Sequence, residues 1–187
     1  MDKLKELKKV AGEISRCREC KKNKSGLPVP GEGNPDAKVM FVGEAPGIEE
    51  SKTGRPFVGR AGKFLTKMLD SIGINRKEVY ITSPVKYFPG RRAPTDEEIA
   101  HGRIHLIKQI KIIRPKMIVP LGNVALKALI PNEKIFVSKV HGKIIERDGA
   151  TYFPTFHPSA AMRFTKMRNA MIGDMKELNK IIRGISR

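Results

Sequence analysis

Residues 38–59 read KVMFVGEAPGIEESKTGRPFVG, and this stretch decides how the rest of the chain is interpreted. It begins with an uninterrupted apolar run, 39–42, which is typical of a parallel β-strand buried on both faces. The run leads straight into a turn rich in glycine and proline, 43–47. Because open α/β proteins bind ligands at the carboxyl ends of their parallel strands, we expect this turn to border a ligand site.

A second glycine-rich segment, 53–62, follows the first and leads into an amphipathic helix over 61–72. The two loops alone are equally compatible with an ordinary surface around a Rossmann-like strand. Neither loop carries a G-x-G-x-x-G dinucleotide fingerprint, and neither ends in the Gly-Lys-Ser/Thr of a P-loop. A functional interpretation therefore needs a partner motif elsewhere in the chain.

The chain is strongly basic, with 37 Lys and Arg against 19 Asp and Glu and a formal net charge of +18. Such a domain usually binds nucleic acid, because clustered Lys and Arg displace counterions from phosphates; the alternative is a Lys-rich, solvated surface. No apolar run could span a membrane, no secretory segment follows Met1, and the two cysteines cannot build a disulfide framework. We therefore expect a cytoplasmic protein without membrane partners.

Strand-like and helix-like segments alternate along the chain. The predicted strands are 39–42, 78–83, 116–122, 135–137 and the arms of a hairpin, 142–147 and 151–156. The predicted helices are 1–16, 61–72, 95–113, 123–129 and 165–182. This alternation predicts an α/β fold, specifically a three-layer α/β/α sandwich with a central, mostly parallel four-stranded sheet. At this length we expect one domain over 1–187.

The last predicted strand runs into the sequence HPSAAMR, 157–163, which should meet the turn 43–47 at one edge of the sheet. This motif, together with EAPG at 44–47 and KTGRPFVG at 52–59, resembles the uracil-DNA glycosylase superfamily. Within it the chain is similar to family 4, the thermostable iron–sulfur type, over almost its whole length. The resemblance implies a repair enzyme that flips a deaminated nucleotide out of DNA and hydrolyses the N-glycosidic bond, leaving an abasic site.

The resemblance also implies which residues act in the reaction. His157 would donate a hydrogen bond to uracil O2, and Glu44 would orient water or steady the oxocarbenium-like sugar. Other families carry a water-activating Asp at the position of Ala45. The implied base-binding residues are Gly43, Ala45, Pro46, Gly47, Phe57 and Ser83, with uracil stacked on Phe57. The alternatives are a solvated loop carboxylate at Glu44, a structural His157 and an ordinary core Phe57.

Two loops are expected to contact DNA. By resemblance, the turn after His157 would push an apolar wedge, Ala161 and Met162, into the gap left by the flipped base. Basic side chains beside the wedge, and in the aromatic loop 85–94, would bind phosphates. The predicted DNA contacts are Lys86, Arg91, Arg92, Ser159, Ala161, Met162, Arg163, Lys166 and Arg168. The expected partner is DNA that contains uracil or another deaminated base, bound by a monomer.

Family 4 holds a 4Fe–4S cluster on four cysteines, and this chain has only the first pair. Cys17 and Cys20 match that pair, whereas Tyr87 and Gly102 occupy the other two positions. Because neither a phenol nor a glycine replaces a thiolate, we expect no cofactor and an inert or vestigial cysteine pair. The alternative at this place is a zinc ion or an unusual cluster that uses a nearby histidine, His101 or His105.

The base pocket departs from the family at Ser83, where the relatives carry an Asn that reads uracil O4 and N3. One hydroxyl cannot offer the paired donor and acceptor of an amide, so we expect slower uracil excision or a preference for another deaminated base. A second hypothesis is a damaged-DNA-binding protein on the same scaffold with weak or no excision. A third, a nucleotide-binding α/β enzyme, predicts binding that is insensitive to salt.

Overall fold

A six-stranded sheet forms the centre of the structure, a computed structural model that describes residues 2–131 and 134–185. In chain order the strands are β1 (Glu32–Gly33), β2 (Val39–Val42), β3 (Tyr80–Thr82), β4 (Met117–Pro120), β5 (Ile145–Arg147) and β6 (Ala150–Tyr152). They lie in the order β1-β3-β2-β4-β6-β5, with the four inner strands parallel and both edges antiparallel. The mostly parallel sheet is confirmed. The predicted count of four strands is wrong, because β1 has no apolar run of its own and the sheet also includes β5, the first arm of the predicted hairpin.

Helices cover both faces of this sheet. They are α1 (Lys3–Arg16), α2 (Arg18–Lys21), α3 (Ile48–Thr53), α4 (Arg60–Ser71), α5 (Asp96–Ile113), α6 (Asn123–Leu129), α7 (Val137–Val140), α8 (Pro158–Arg163) and α9 (Thr165–Ile185), with a 3₁₀ turn at Arg76–Glu78. Met40 and Val42 pack against α1, α5 and α6, whereas Val39 and Phe41 pack against α4 and α9 on the opposite face. The predicted three-layer α/β/α sandwich is therefore confirmed.

Strand β2 is central because its sequence leaves it no solvated face. All four residues are buried, and Met40 pairs with Tyr80 of β3 on one side and Ile118 of β4 on the other. Side chains alternate across a strand, so an unbroken apolar run supplies both core layers at once. As a consequence, the turn at Gly43 emerges in the middle of the sheet's carboxyl edge.

Several local predictions can be compared with the structure. Helix α5 begins with the expected capping box, in which Thr95 Oγ1 accepts from the Glu98 N–H. The hairpin turn between β5 and β6 is also confirmed, with left-handed φ angles at Asp148 (50°) and Gly149 (74°). The predicted strand 135–137 is wrong, because Val137 begins helix α7. Within the described residues, no helix is both long and apolar enough to cross a membrane.

Candidate active site

The loops that follow β2, β3 and β6 border a small cavity at the carboxyl edge of the sheet. Its volume is about 130 Å³. The lining residues come from the segment before β2, both glycine-rich segments and the ends of β3 and β6: Val29, Ala45, Pro46, Gly47, Glu50, Pro56, Phe57, Ala61, Ser83 and His157. The turn 43–47 and the loop 157–163 therefore meet, as the topology predicted. A mainly apolar cavity of this size, with few polar groups, suits a single small ring.

One carboxylate holds the two glycine-rich segments together. Glu50, in α3, accepts hydrogen bonds from the backbone N–H groups of Gly47 (3.1 Å), Val58 (2.8 Å) and Gly59 (2.8 Å). The first donor belongs to the turn after β2, and the other two precede α4. Because one side chain satisfies donors from both segments, the two walls of the cavity keep a fixed separation. Sequence reasoning missed Glu50, although its spacing from Gly47 is that of a helix cap.

Phe57 is held in the cavity wall by an unusual backbone. Its φ of 51° is left-handed, which is rare for an aromatic residue. Arg76, also missed from the sequence, stabilises this conformation by donating to the carbonyl oxygens of Pro56 (2.5 Å) and Phe57 (3.0 Å). Two glycines make room: a Cβ at Gly43 would lie 2.5 Å from the Phe57 ring, and one at Gly62 would collide with the Phe57 carbonyl. The ring is thus positioned by the loop and not only by core packing.

His157 offers a neutral hydrogen-bond donor to the same cavity. It caps α8, where its Nδ1 accepts from the Ser159 backbone N–H (3.2 Å) and lies 2.7 Å from Ser159 Oγ. Burial lowers the pKa of the imidazole to about 4. Because Nδ1 is an acceptor, we assign the single ring proton to Nε2. The ring centroid lies 5.9 Å from that of Phe57, so an aromatic ring and an N–H donor border one space.

Two polar residues complete the edge of the sheet. Glu44 is the second residue after β2 and is half-buried beside Ala45, and burial raises the pKa of its carboxyl group. Ser83 follows β3, is buried, and donates from Oγ to the carbonyl oxygen of Val85 at 2.8 Å. The Ser83 proton is therefore used inside the protein, and its oxygen keeps acceptor capacity toward the cavity.

This geometry can be compared with known proteins. Residues 30–179 match the sequence model of the uracil DNA glycosylase superfamily. The chain is 42% identical over 180 residues to the Type-4 uracil-DNA glycosylase of Thermotoga maritima, and the alignment covers 93% of each protein. The chain belongs to the uracil DNA glycosylase superfamily.

Two further type-4 relatives agree with this assignment. The Type-4 uracil-DNA glycosylase of Archaeoglobus fulgidus is 39% identical over 187 residues, covering 95% of this chain and 94% of the relative. The one from Sulfurisphaera tokodaii is 40% identical over 185 residues, covering 94% and 84%. The predicted resemblance to family 4 is confirmed.

The implied base-binding residues of a uracil DNA glycosylase gather at the cavity. Five of them line it together with the predicted catalytic histidine: Ala45, Pro46, Gly47, Phe57, Ser83 and His157. Gly43 lies beneath the Phe57 ring, and Glu44 stands next to the lining without forming part of it. The structure therefore brings these residues together, while their roles toward a base stay predictions.

The prediction that Lys86 contacts DNA is wrong. The side chain is fully buried, with Nζ donating to Thr82 Oγ1 (2.8 Å), Gln109 Oε1 (2.9 Å) and the Pro30 carbonyl oxygen (3.1 Å). Burial lowers the pKa of the ammonium group to about 7. The turn after β3 directs this lysine between β3 and α5, a placement that the basic composition of the loop does not reveal.

The predicted apolar wedge is also partly wrong. Ala161 is fully buried in the core layer with α4 and α9, so only Met162 of the predicted pair reaches the surface, half-buried. A residue missed from the sequence, Phe164, has 55% of its surface exposed just beyond α8. The available signal in the sequence was a phenylalanine directly after the motif HPSAAMR. Arg168 fixes this turn by donating to the carbonyl oxygens of Ala161 and Met162, both at 3.2 Å.

The remaining residues predicted to contact DNA lie at the surface. They are Arg91, Arg92, Ser159, Arg163, Lys166 and Arg168, all of them exposed. Their surroundings differ. Arg92 forms a bidentate ion pair with Glu98, and the Ser159 hydroxyl lies within hydrogen-bond distance of His157 Nδ1. An ion-paired arginine gains less from a phosphate than a solvated one. The structure thus distinguishes cations that are already ion-paired within the protein from cations that face solvent.

The four-cysteine cluster of family 4 does not fit the residues present. The hydroxyl of Tyr87 lies 3.4 Å from two backbone carbonyl oxygens of α1, and a side chain on Gly102 would collide with the backbone after β3. Neither position therefore offers a ligand. A different donor set has ligand atoms that all lie within 4.8 Å of one another: Cys17, Cys20, His101 and His105.

Proposed function

We propose that this protein hydrolyses the N-glycosidic bond of uracil in DNA and leaves an abasic site. The observation that carries the proposal is the cavity in which the Phe57 ring and the Nε2–H of His157 border a space for one small ring. The names of the type-4 relatives support the same reaction. A base inside a duplex cannot reach this cavity, so the nucleotide must be flipped out of the helix.

His157 would stabilise the leaving base. As the bond to the sugar breaks, negative charge develops on uracil, including O2, and a fixed N–H donor at that oxygen lowers the barrier. The low pKa means that the histidine donates a hydrogen bond as a neutral ring and does not deliver a proton. The Ser159 contacts to Nδ1 keep the required tautomer. Phe57 would hold the flipped ring by stacking.

Glu44 would act on the sugar side of the reaction. Water adds its oxygen to C1′, one of its protons is released to solvent, and the departing uracil anion is later protonated. A carboxylate near this position can orient the water or steady the positive charge on the sugar. Burial raises the pKa of Glu44, which makes its carboxylate a better proton acceptor.

Ser83 is proposed to set the choice of base. Its hydroxyl proton is used by the Val85 carbonyl, so it can only accept from a ligand, whereas an amide both donates and accepts. Replacing Ser83 by Asn should raise kcat/KM for uracil by about tenfold, the equivalent of one added hydrogen bond. The measurement is single-turnover excision of uracil and hypoxanthine from matched oligonucleotides. Unchanged uracil excision would mean that Ser83 does not read the base.

We further propose a monomer that binds DNA through phosphate contacts from Arg91, Arg163 and Lys166. The net charge of +18 supports this partner. We also propose that the family's 4Fe–4S cluster is not carried, because two of its ligand positions are Tyr87 and Gly102. A cytoplasmic location and a single domain over 1–187 stay predictions.

The direct test is excision from labelled oligonucleotides that carry uracil, hypoxanthine or xanthine, followed by alkaline cleavage at abasic sites. We expect cleavage of uracil strands by the wild type and a large loss in His157→Ala. His141→Ala is the matched control, because this histidine pairs with Asp174 and does not line the cavity. Tight binding of damaged DNA without cleavage would instead favour the damage-binding hypothesis.

A further inference from the structure

Four metal-binding side chains from two distant parts of the chain face one another beside α5. Cys17 caps the short helix α2 and Cys20 lies within it, while His101 and His105 lie one turn apart on α5. One ligand atom of each lies within 4.8 Å of every other. The proposed excision reaction uses none of these side chains, so their convergence needs a separate explanation.

The spacing Cys-x₂-Cys followed by His-x₃-His is that of a tetrahedral Cys₂His₂ zinc site. Residues four apart share a helix face, and the two imidazole centroids are 6.0 Å apart. Cys17 Sγ lies 3.2 Å from His101 Nε2. Ligands of one tetrahedral zinc lie roughly 3.3–3.8 Å apart, given Zn–S and Zn–N bonds of about 2.3 and 2.0–2.1 Å. Small side-chain shifts therefore suffice to enclose one ion.

One buried nitrogen within this group of four side chains has an unmet need for a hydrogen-bond partner or a metal ion. His105 is only 6% exposed, and its Nδ1 has no hydrogen-bond partner among the residues that the structure describes. A buried polar nitrogen without a partner costs free energy, which coordination of a metal ion by this nitrogen would offset. The Cys20 backbone N–H already lies 3.4 Å from Cys17 Sγ, an outer contact that stabilises a metal-bound thiolate.

Charge and access also fit a divalent ion. Two thiolates and two neutral imidazoles cancel the charge of Zn²⁺, so the complete site can be buried without a net charge. A cavity of about 170 Å³ borders Cys20 and His101 and extends to the exposed Lys22 and Glu97. This cavity gives an ion a route from solvent to the ligands.

We infer that Cys17, Cys20, His101 and His105 bind one Zn²⁺ ion in tetrahedral geometry. Nitrogen and sulfur donors in this ratio select zinc over the hard cations Mg²⁺ and Ca²⁺. All four positions are filled by protein, which leaves none for water or substrate, so the ion is structural. It fastens the α1–α2 segment to α5, beside the surface ion pair between Glu13 and Lys108.

The test is the metal content of the full-length protein, expressed in medium that contains both zinc and iron and purified anaerobically. We expect elemental mass spectrometry to find one zinc ion per chain, and a sulfide assay to find no acid-labile sulfide. Iron with sulfide in cluster amounts would overturn the inference, and so would metal-free protein that takes up no added Zn²⁺. The readout needs no DNA, so its failure is distinguishable from failure of the proposed excision activity.

Variants identify the ligands. Cys20→Ser and His105→Ala should weaken zinc binding by at least about tenfold against a chromophoric chelator. His105→Cys guards against simple misfolding, because a Cys₃His set also binds zinc and should retain it. His141→Ala is the matched control and should keep its zinc. Replacement by Co²⁺ should give the intense visible bands of a tetrahedral site, with thiolate charge transfer that grows in His105→Cys; weak octahedral bands would contradict the geometry.

Discussion

Phe57 owes its position to the absence of a side chain at Gly43. A methyl group there would lie 2.5 Å from the ring, so the ring must move away from Gly43 and out of its present position in the cavity wall. We predict that Gly43→Ala lowers single-turnover excision by about 100-fold, because a displacement near 1 Å misaligns the reacting groups. The measurement is rapid-quench excision from a uracil oligonucleotide.

Gly173→Ala serves as the control for this substitution. Gly173 lies in α9, where an added methyl group would meet no other atom within 4 Å, and alanine favours a helix. We expect full activity and equal or higher stability. Unimpaired excision by Gly43→Ala would show that the ring position does not limit the reaction.

His157 links the candidate active site to acid stability. Its pKa falls from an ordinary 6.5 to about 4 in the folded protein, so the unfolded chain binds the extra proton first. The stability of the fold must therefore decrease as pH falls from 6.5 through 4, by up to about 3 kcal/mol from this residue. His157→Gln removes that contribution. Urea unfolding at pH 7 and pH 4 should show a smaller loss of stability at acid pH in the variant; equal losses would contradict a ring that stays neutral in the folded protein.

At the scale of elements, α3 acts as a clamp through Glu50. Its carboxylate satisfies N–H donors on both sides of the cavity, and Glu50→Ala would leave them without this partner. We predict a loss of about 2 kcal/mol in the free energy of unfolding, together with slower excision. Chemical denaturation gives the first quantity and single-turnover kinetics the second.

The neighbouring Glu49 offers a matched control on the same helix. Among the residues that the structure describes, its carboxylate pairs only with the exposed Lys52, at 2.9 Å, and surface pairs contribute little. Glu49→Ala should change stability and excision only slightly. If Glu49→Ala and Glu50→Ala changed stability and excision equally, the Glu50 carboxylate would contribute no more than an exposed surface charge does.

The elements that sequence could predict are those with long apolar patterns. Strand β2 was predictable at its observed bounds, because four consecutive apolar residues are typical of a parallel strand that is buried on both faces. Strand β1 and helix α3 were not, because each is short and neither has an apolar run, and β1 depends on pairing with β3, far along the chain. Lys86 escaped prediction for a related reason: its partner Gln109 lies on another element.

The candidate site shows the same division. The motif residues that line the cavity could be named from the sequence because their motifs resemble those of a known family, and the turn 43–47 and the loop 157–163 also follow predictable strands. The supports of the site were not predicted: the helix-cap spacing of Glu50 does not reveal its bonds to Val58 and Gly59, and Arg76 acts on backbone carbonyls that carry no sequence signal. The left-handed φ of Phe57 belongs to the same class of feature.

At the scale of the whole molecule, the charge of +18 should make DNA binding strongly dependent on salt. Arg163 is exposed at the C-terminal end of α8, and we predict that Arg163→Ala reduces the slope of log K against log salt by about one. Fluorescence anisotropy with a uracil-containing duplex measures the slope. Arg92→Ala is the comparison, because its bidentate ion pair with Glu98 should make its effect smaller. An unchanged slope in Arg163→Ala would exclude a phosphate contact by Arg163.

The buried Lys86 has a consequence for how this pocket can change. Its carbonyl oxygen accepts from the Val29 N–H at 2.8 Å, and its ammonium group holds the Pro30 carbonyl, so one residue fixes the irregular wall before β2. That ammonium group is shared with Gln109 in the middle of α5. A substitution at Gln109, which does not line the cavity, should therefore alter the shape of this wall. Substitutions in the protein interior can thus change substrate preference, and a comparison restricted to the residues that line the pocket would not detect them.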